Sequence, residues 1–283
     1  MTKPTAKRKP TQVYAFIDTN IFLDFYRHRN DATLKMLDRL KPVRDRLLCT
    51  YQVEMEFLKN RQRVLLDAYQ EVGKPVEPKL PSIFADSATS GSLKTVTKTA
   101  AKKTQIVKKR ILKLMKDPKQ SDPVYVALED LFQSPSEHVL TRDMPIRQQI
   151  KRLAFRRFML GYPPRKNSDT SIGDAINWEW IVHCATKLSG KFILVSRDSD
   201  FGATVSNEYF LNDALKKEFR DRVGKKSLIY TQRLSDALKE LHVNVSDKEI
   251  EAESDALQRQ RKQQEKQPAS AEFNDGLHDM LNA

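Results

Sequence analysis

The sequence has few of the residues that form disulfide frameworks, and it lacks long apolar stretches. Its only two cysteines, Cys49 and Cys184, lie in apolar surroundings, so we expect buried, reduced thiols in a cytoplasmic protein. No stretch approaches the roughly 18 consecutive apolar residues that a membrane span needs. The N-terminal residues are basic but have no apolar segment typical of a secretory signal. We therefore expect no membrane association.

Several catalytic signatures are also missing. The chain has eight glycines and contains no Gly-x-Ser-x-Gly, no P-loop and no dinucleotide-binding fingerprint. Its five histidines show no spacing typical of a zinc site. Carboxylates are therefore the side chains to examine for catalysis.

Positive charge, in contrast, is abundant: 50 Lys and Arg face 37 Asp and Glu, giving a net charge of +13. A polyanionic partner explains this best, because each cation placed on a phosphate releases a condensed counterion. Two stretches, 87–115 and 144–168, contain no acidic residue at all. We interpret the first as an amphipathic basic helix and both as phosphate-facing surfaces. For either stretch alone, the alternative is a charged helix that simply faces solvent. For the net charge of the whole chain, the alternative partner is an acidic membrane surface.

Short apolar runs alternate with helical patterns along the chain. Strands are expected at 13–17, 46–49, 191–195 and 227–230, with a helix after each of them and a turn-rich loop at 196–202. This alternation predicts the α/β class, with a doubly wound, mainly parallel central sheet and sites at the carboxyl ends of its strands. The expected parts are a disordered basic arm over 1–12, a main domain over 13–245 with a basic helical insertion over 75–150, and a charged helix and flexible tail over 246–283.

Acidic residues stand where these apolar strands end. Asp18 directly follows the first strand, Asp198 comes shortly after the strand at 191–195, and Asp174 opens a helix after a glycine. Each alone could simply cap a helix or form a turn. Three acids at one sheet edge, however, repel one another unless cations neutralise them. Oxygen ligands of this kind suit Mg²⁺ or Mn²⁺.

Four strings together resemble the PIN-domain nucleases. FIDTNIFLDF resembles the opening of that domain, EFLKNR its second acid on a helix, IGDAINWEWIV its Gly-Asp helix start, and LVSRDSDF its strand-end acidic element. The resemblance covers roughly 13–70 and 155–235. The run GYPPRKNSDTSIGDAINWE is similar to a bacterial PIN-like subfamily with a long central insertion.

The resemblance implies a PIN-like fold and a nuclease site that uses one or two Mg²⁺ or Mn²⁺ ions. It assigns the catalytic acids and metal ligands to Asp18, Glu56, Asp174 and Asp198, with Asp200 as a further ligand. Asn20 and Ser196 are expected to orient these acids. Glu54 stays open as an alternative to Glu56, because residues two apart on a helix point about 200° apart and only one can face the site. Asp24 is expected to be a solvent-facing helix residue.

The expected partner is nucleic acid. The resemblance favours an endonuclease that cuts RNA rather than DNA, leaves 5′-phosphate and 3′-hydroxyl ends, and serves as a toxin or defence effector. The cations expected to hold the nucleic-acid backbone are Arg61, Lys102, Lys109, Arg152, Arg156, Arg165, Lys166 and Arg197. The long separation of Glu56 from Asp174 predicts that the basic insertion stands over or beside the acids. A regulatory protein partner is expected to act through the C-terminal tail.

Two other functions stay open on sequence alone. One is a PIN-like module that binds nucleic acid without cutting it. The other is a phosphotransferase such as a haloacid-dehalogenase-like phosphatase, which requires Asp-x-Asp after its first strand. At that position this chain has Asp18-Thr19-Asn20.

Overall fold

A computed structural model describes residues 11–27, 31–73, 83, 87–134, 136–165 and 171–266. Five strands form a central parallel sheet: β1 (Val13–Ile17), β2 (Leu47–Thr50), β3 (Val139–Leu140), β4 (Lys191–Val195) and β7 (Leu228–Thr231). Their order across the sheet is β3-β2-β1-β4-β7. Strands β5 (Gly202–Val205) and β6 (Glu208–Leu211) form a separate antiparallel hairpin.

Helices flank the sheet and connect its strands. They are α1 (Thr19–Arg27), α2 (Asp31–Asp38), α3 (Tyr51–Glu71), α4 (Ala88–Lys116), α5 (Pro118–Ser121), α6 (Pro123–Gln133), α7 (Arg147–Met159), α8 (Gly173–Lys187), α9 (Asp213–Val223), α10 (Leu234–Glu240) and α11 (Asp247–Lys266), with a 3-10 helix at Lys41–Arg46. No helix within the described ranges is long and apolar enough to cross a membrane. The predicted α/β class with a mainly parallel central sheet is confirmed.

The middle of the sheet is formed by continuous apolar runs. All five residues of β1 are buried, and β1 pairs with β2 on one side and β4 on the other. A parallel strand covered by helices on both faces needs apolar side chains on both faces, which explains the lack of alternation. The first acid of the sequence, Asp18, is thereby placed at the carboxyl end of the central strand.

Helix α8 is buried along most of its length and includes Trp178 and Trp180 in the core. A cluster of four charges ties it to its neighbours. The Arg157 guanidinium of α7 donates to Glu179 of α8 at 2.8 Å and also to Glu218 of α9. Arg222 of α9 donates to the other Glu179 oxygen at 2.8 Å. These contacts connect three helices, and separating the buried Arg157 and Glu179 would leave an uncompensated charge in the interior.

Some elements were not predicted. Strand β3 is only two residues long, and the hairpin β5–β6 follows the region predicted as a loop. The segment 75–150 contains the expected basic helix, α4, but it also supplies β3 and buried residues of α6 to the sheet and core. Residues 1–10 of the expected arm and 267–283 of the expected tail lie outside the described residues.

Asp24 is buried, contrary to expectation. Only 2% of it is exposed, and it forms ion pairs with Arg27 and with Arg197. Gln260 of α11 also donates to it at 3.0 Å. The side chain is retained inside the protein because cations and an amide satisfy its charge there.

Candidate active site

The candidate site lies at the carboxyl edge of the sheet. Because β1, β2 and β4 run parallel, the residues that follow them meet at this one edge. Asp18 follows β1, Thr50 ends β2 and Ser196 follows β4. The backbone N–H of Asp18 donates to the Val195 carbonyl at 2.9 Å, which extends the β1–β4 pairing into the site.

Asp18 is held in place by three donors. The Thr19 backbone N–H donates to Oδ1 at 2.7 Å. The Asn20 amide and the Ser196 hydroxyl both donate to Oδ2, at 2.7 and 2.5 Å. The Asn20 and Ser196 side chains thus both donate hydrogen bonds to the Asp18 carboxylate.

Glu56 lies on the first turns of α3, beside Asp18. Its Oε1 accepts from the Gln52 amide at 2.7 Å and its Oε2 from the Thr19 hydroxyl at 3.1 Å. Glu54 lies elsewhere, beside the edge strand β3, in a small cavity that Arg142 also lines. Of the two acids, Glu56 is therefore the one on the Asp18 side of α3.

Asp174 lies in the first turn of α8, and the N-terminus of this helix packs against Glu56. The residue before it, Gly173, lies against Glu56 and Gln52 so closely that a Cβ there would overlap both side chains. A side chain at position 173 would have to displace the ends of the Glu56 and Gln52 side chains, so glycine suits this close approach of α8 to α3. Asp174 occupies the first turn of the helix and is partly buried.

Asp198 lies in the loop after β4, close enough to Asp18 for its charge to raise the pKa of that carboxyl. Its backbone N–H donates to the Ser196 hydroxyl at 3.1 Å, the same hydroxyl that donates to Asp18. The Asp200 backbone N–H in turn donates to Asp198 Oδ1 at 3.1 Å. These local bonds shape the Ser-Arg-Asp-Ser-Asp turn and bring Asp198 towards the central acid.

The carboxylates influence one another electrostatically. The pKa of Asp18 is raised from 3.8 to about 6, first by burial and further by the negative charges of Glu56 and Asp198. Hydrogen bonds from Ser196 and Thr19 oppose this rise in pKa. The pKa of the Tyr230 phenol on β7 is also raised, first by burial, with Asp198 and Asp18 adding to the effect. The edge of the sheet therefore carries an excess of negative charge that a cation would relieve.

The chemistry of the side chains fits a hard divalent cation. The potential ligands are carboxylate oxygens, and a carboxylate has about four acceptor positions, so Asp18 and Glu56 can accept more than the bonds they make. Cys49, in contrast, is buried, and burial raises the pKa of its thiol to about 12. Within the described part of the chain, no three His, Cys, Asp or Glu side chains are gathered closely enough to hold one ion. The fit thus rests on ligand type and charge.

Two supporting residues were missed from the sequence. Thr19 contacts both acids, through its N–H to Asp18 and its hydroxyl to Glu56, and Gln52 holds the other Glu56 oxygen. A signal for Gln52 was present, because it precedes Glu56 by four residues and side chains at that spacing share one helix face. For Thr19, the only sequence signal was its position inside the Asp-Thr-Asn string.

Two of the expected nucleic-acid-binding cations are instead buried in ion pairs. Arg61 is 4% exposed and donates to Asp122 at 2.5 Å, with Tyr26 and Tyr125 stacked around its guanidinium. Arg197 forms ion pairs with Asp24 and Glu253, and burial lowers its pKa to about 10. The prediction for these two residues is corrected, since both guanidinium groups are engaged inside the fold.

The other described cations of that set are exposed: Lys102, Lys109, Arg152, Arg156 and Arg165. Lys166 lies outside the described residues. Arg165 covers the Phe158 ring at 4.7 Å, which leaves its charge at the surface.

Helix α4, the basic helix of the insertion, packs along α3. Leu114 near its end accepts from Arg61 at 2.7 Å, and Lys108 lies 4.9 Å above the Tyr69 ring. Tyr69 follows Glu56 by 13 residues, about 20 Å along α3 at 1.5 Å per residue. Helix α4 therefore runs antiparallel to α3. Lys102 and Lys109 lie away from Glu56 along α3, whereas the C-terminal end of α4 approaches Arg61, five residues from Glu56.

Comparison with known families gives one match. The model of a family described as "PIN domain" matches residues 15–201, a range that contains Asp18, Glu56, Asp174, Asp198 and Asp200. No curated protein and no solved structure matches the chain.

Because its pKa is raised by burial, Asp18 should make the metal-free protein less stable as pH rises. Its pKa in the folded protein, about 6, exceeds the ordinary 3.8, so the folded state binds this proton more tightly than the unfolded state does. The contribution of protonated Asp18 to the free energy of unfolding is complete below the ordinary pKa of 3.8 and is lost as pH rises through the folded-state pKa of about 6. Relative to Asp18→Asn, the wild type should lose roughly 2–3 kcal/mol of unfolding free energy between about pH 4 and pH 8.

Urea unfolding of both proteins across this pH range measures the difference, and titrating groups that do not interact with Asp18 cancel. Asp45→Asn is the matched control, because the Asp45 side chain is 85% exposed. Mn²⁺ should flatten the difference at high pH. A wild type that differs from Asp18→Asn by a constant amount at every pH would contradict the assignment of the raised pKa.

Proposed function

The chain belongs to the PIN-domain family, and from this premise we propose that it is a metal-dependent endonuclease that hydrolyses phosphodiester bonds in RNA. PIN domains are generally nucleases. The observation that supports the proposal in this chain is the buried Asp18 carboxylate, whose pKa is raised by burial and by the charges of Glu56 and Asp198. A toxin or defence role stays a prediction of the resemblance.

Each residue of the site has a task in this proposal. Asp18, Glu56, Asp174 and Asp198 would hold one or two Mg²⁺ or Mn²⁺ ions, with Asp200 as a further ligand. When bound, such an ion lowers the pKa of a coordinated water and offsets the negative charge of the phosphate.

The donors around Asp18 and Glu56 fix the direction of their oxygens before any ion arrives. Thr19, Asn20 and Ser196 hold Asp18, and Gln52 with Thr19 holds Glu56. Supporting bonds of this kind commonly contribute about 10–100-fold to metal affinity or activity. The neutral donors add no charge, so the negative potential of the site is kept for the cation.

Exposed cations would hold the nucleic-acid backbone. Lys102 and Lys109 lie about 20 Å or more along α3 from Glu56, so a long substrate is needed to contact both the acids and these two lysines. Cations that contact phosphate raise affinity without reading sequence. The proposed enzyme thus binds an extended strand and cuts it at one end of the bound region.

The second candidate function is a PIN-domain module that binds nucleic acid without cutting it. One observation favours it: in the described ranges, no three potential ligands are gathered closely enough to hold an ion. The nuclease needs divalent cations for its activity and the binding module does not, so the effect of a chelator distinguishes the two functions.

The first prediction of this proposal concerns the acids. Glu56→Gln should lower the rate of Mn²⁺-dependent RNA cleavage by more than about 100-fold, beyond the effect of losing a supporting residue. Glu54→Gln, two residues away on the same helix, should cleave like the wild type, because Glu54 lies beside β3. Asp18→Asn should abolish cleavage.

Cleavage is followed with end-labelled RNA and DNA, with and without chelator, and RNA binding is measured in parallel. All three variants should bind RNA as the wild type does. Equal loss of cleavage in both glutamate variants would contradict the assignment of Glu56. Binding without any cation-dependent cleavage by the wild type would favour the non-cutting module.

The second prediction concerns the exposed cations. Lys102→Gln/Lys109→Gln should raise KM for a long single-stranded RNA and leave kcat unchanged, because these two lysines lie far along α3 from Glu56. The slope of log affinity against log salt should fall by about 1.4, which is two contacts at about 0.7 each.

The matched control is Lys216→Gln/Lys217→Gln on α9, which removes the same charge from exposed residues outside the two acid-free stretches. Its salt dependence should equal that of the wild type. Equal effects in the two double variants would mean that net charge, rather than α4, governs binding.

A further inference from the structure

The loop that carries Ser196 and Asp198 is anchored through the residue between them. The Arg197 side chain is 11% exposed and points inward, where it forms ion pairs with Asp24 of α1 and with Glu253 of α11. Its Nε also donates to the Gln232 carbonyl at 3.2 Å, in the loop after β7. Arg197 thus ties the catalytic edge to α1, to the end of β7 and to α11.

Glu253 is buried, with 1% exposed, although it lies on a highly charged helix. Its two oxygens accept from the Leu234 and Ser235 backbone N–H groups at 2.6 and 3.0 Å. It therefore caps the N-terminus of α10, where the helix dipole favours a negative charge. The same carboxylate lies 3.7 Å from the Arg197 guanidinium, so it joins α10, α11 and the loop.

Helix α11 is fixed at other points along its length. Glu249 accepts two bonds from Arg39, both at 2.9 Å, and Gln260 donates to Asp24 at 3.0 Å. Ala252 and Leu257 are buried. This helix follows the range 15–201 that the family model matches, yet it is packed as part of the domain.

The contacts lead from α11 into the candidate site. The backbone N–H of Arg197 donates to Asn20 Oδ1 at 3.3 Å, and Asn20 in turn donates to Asp18. The neighbouring Ser196 donates to Asp18 and accepts from the Asp198 N–H. A shift of Arg197 would therefore move the hydrogen-bond donors of Asp18 and the Asp198 carboxylate together.

We propose that Glu253 and Arg197 are positioning residues: α11, through this ion pair, holds residues 196–200 so that Ser196 and Asp198 stay beside Asp18. This inference rests on the proposed function, because the position of Ser196 and Asp198 beside Asp18 matters for activity only if the site binds a divalent cation. It gives a helix beyond the matched family region a part in assembling the metal site.

The test compares Glu253→Gln with Glu251→Gln in the full chain. Glutamine keeps the shape of Glu253 but removes the negative charge that interacts with Arg197 and with the N-terminus of α10. Glu251 is the control, because it lies two residues earlier on the same helix and is exposed. In metal-free protein, Glu253→Gln should speed hydrogen exchange of the amides at 196–200. Its Mn²⁺ affinity, measured by calorimetry without substrate, should fall by about tenfold or more. Glu251→Gln should match the wild type in both measurements.

Arg197→Lys provides a second variant that keeps the charge and changes the loop side of the pair. Its effects on exchange and Mn²⁺ affinity should combine non-additively with those of Glu253→Gln, because both disrupt one interaction. A merely structural pair would lower the unfolding temperature of both variants with unchanged Mn²⁺ affinity and unchanged exchange at 196–200. That result would overturn the inference.

The two proposals fail separately. If the wild type binds no Mn²⁺, the proposed function fails, and the exchange measurement still tests whether α11 holds the loop. If the wild type binds Mn²⁺ and cleaves RNA while Glu253→Gln behaves like Glu251→Gln, the positioning role alone is rejected.

Discussion

The structure depends on one electrostatic constraint, the burial of the Asp18 carboxylate at the end of the central strand, between the charges of Glu56 and Asp198. Burial and these neighbours raise the pKa of Asp18, while Thr19 and Ser196 donate hydrogen bonds that favour its charged form. A fold that keeps this arrangement gives up stability at neutral pH. Such a local loss is typical of functional sites, where surrounding packing maintains an unfavourable group for a purpose. The purpose that we propose for it, from the charge and the ligand type, is the binding of a divalent cation.

The rest of the fold serves to hold that arrangement. The parallel sheet brings the ends of β1, β2 and β4 to one edge, and Gly173 lets α8 begin directly against Glu56. Behind this edge, basic residues are engaged in internal ion pairs, as with Arg157 and Glu179 across α7 and α8. The exposed basic residues lie on other parts of the protein, α4 above all. The chain thus separates two uses of positive charge, one that fixes helices in place and one that faces solvent and a polyanion.

The sequence predicted those features that depend on local pattern. The apolar runs of β1 and β4 identified the central strands, and the acid after each run identified the edge of the sheet where the site lies. It did not predict β3, because two residues are too few to show a period. It also misplaced Arg61 at the surface, although Phe57 and Val64 share its helix face and indicated burial. Its partner Asp122 lies far along the chain, and a pairing at that separation leaves no local signal.

The most direct test of the account is a crystal structure of the full chain grown with Mn²⁺, with anomalous scattering recorded for wild type and Asp18→Asn. The account predicts an anomalous peak beside Asp18, within reach of the Glu56 or Asp198 carboxylate, and its loss in the variant. No peak at this edge of the sheet, or a peak unaffected by Asp18→Asn, would contradict it.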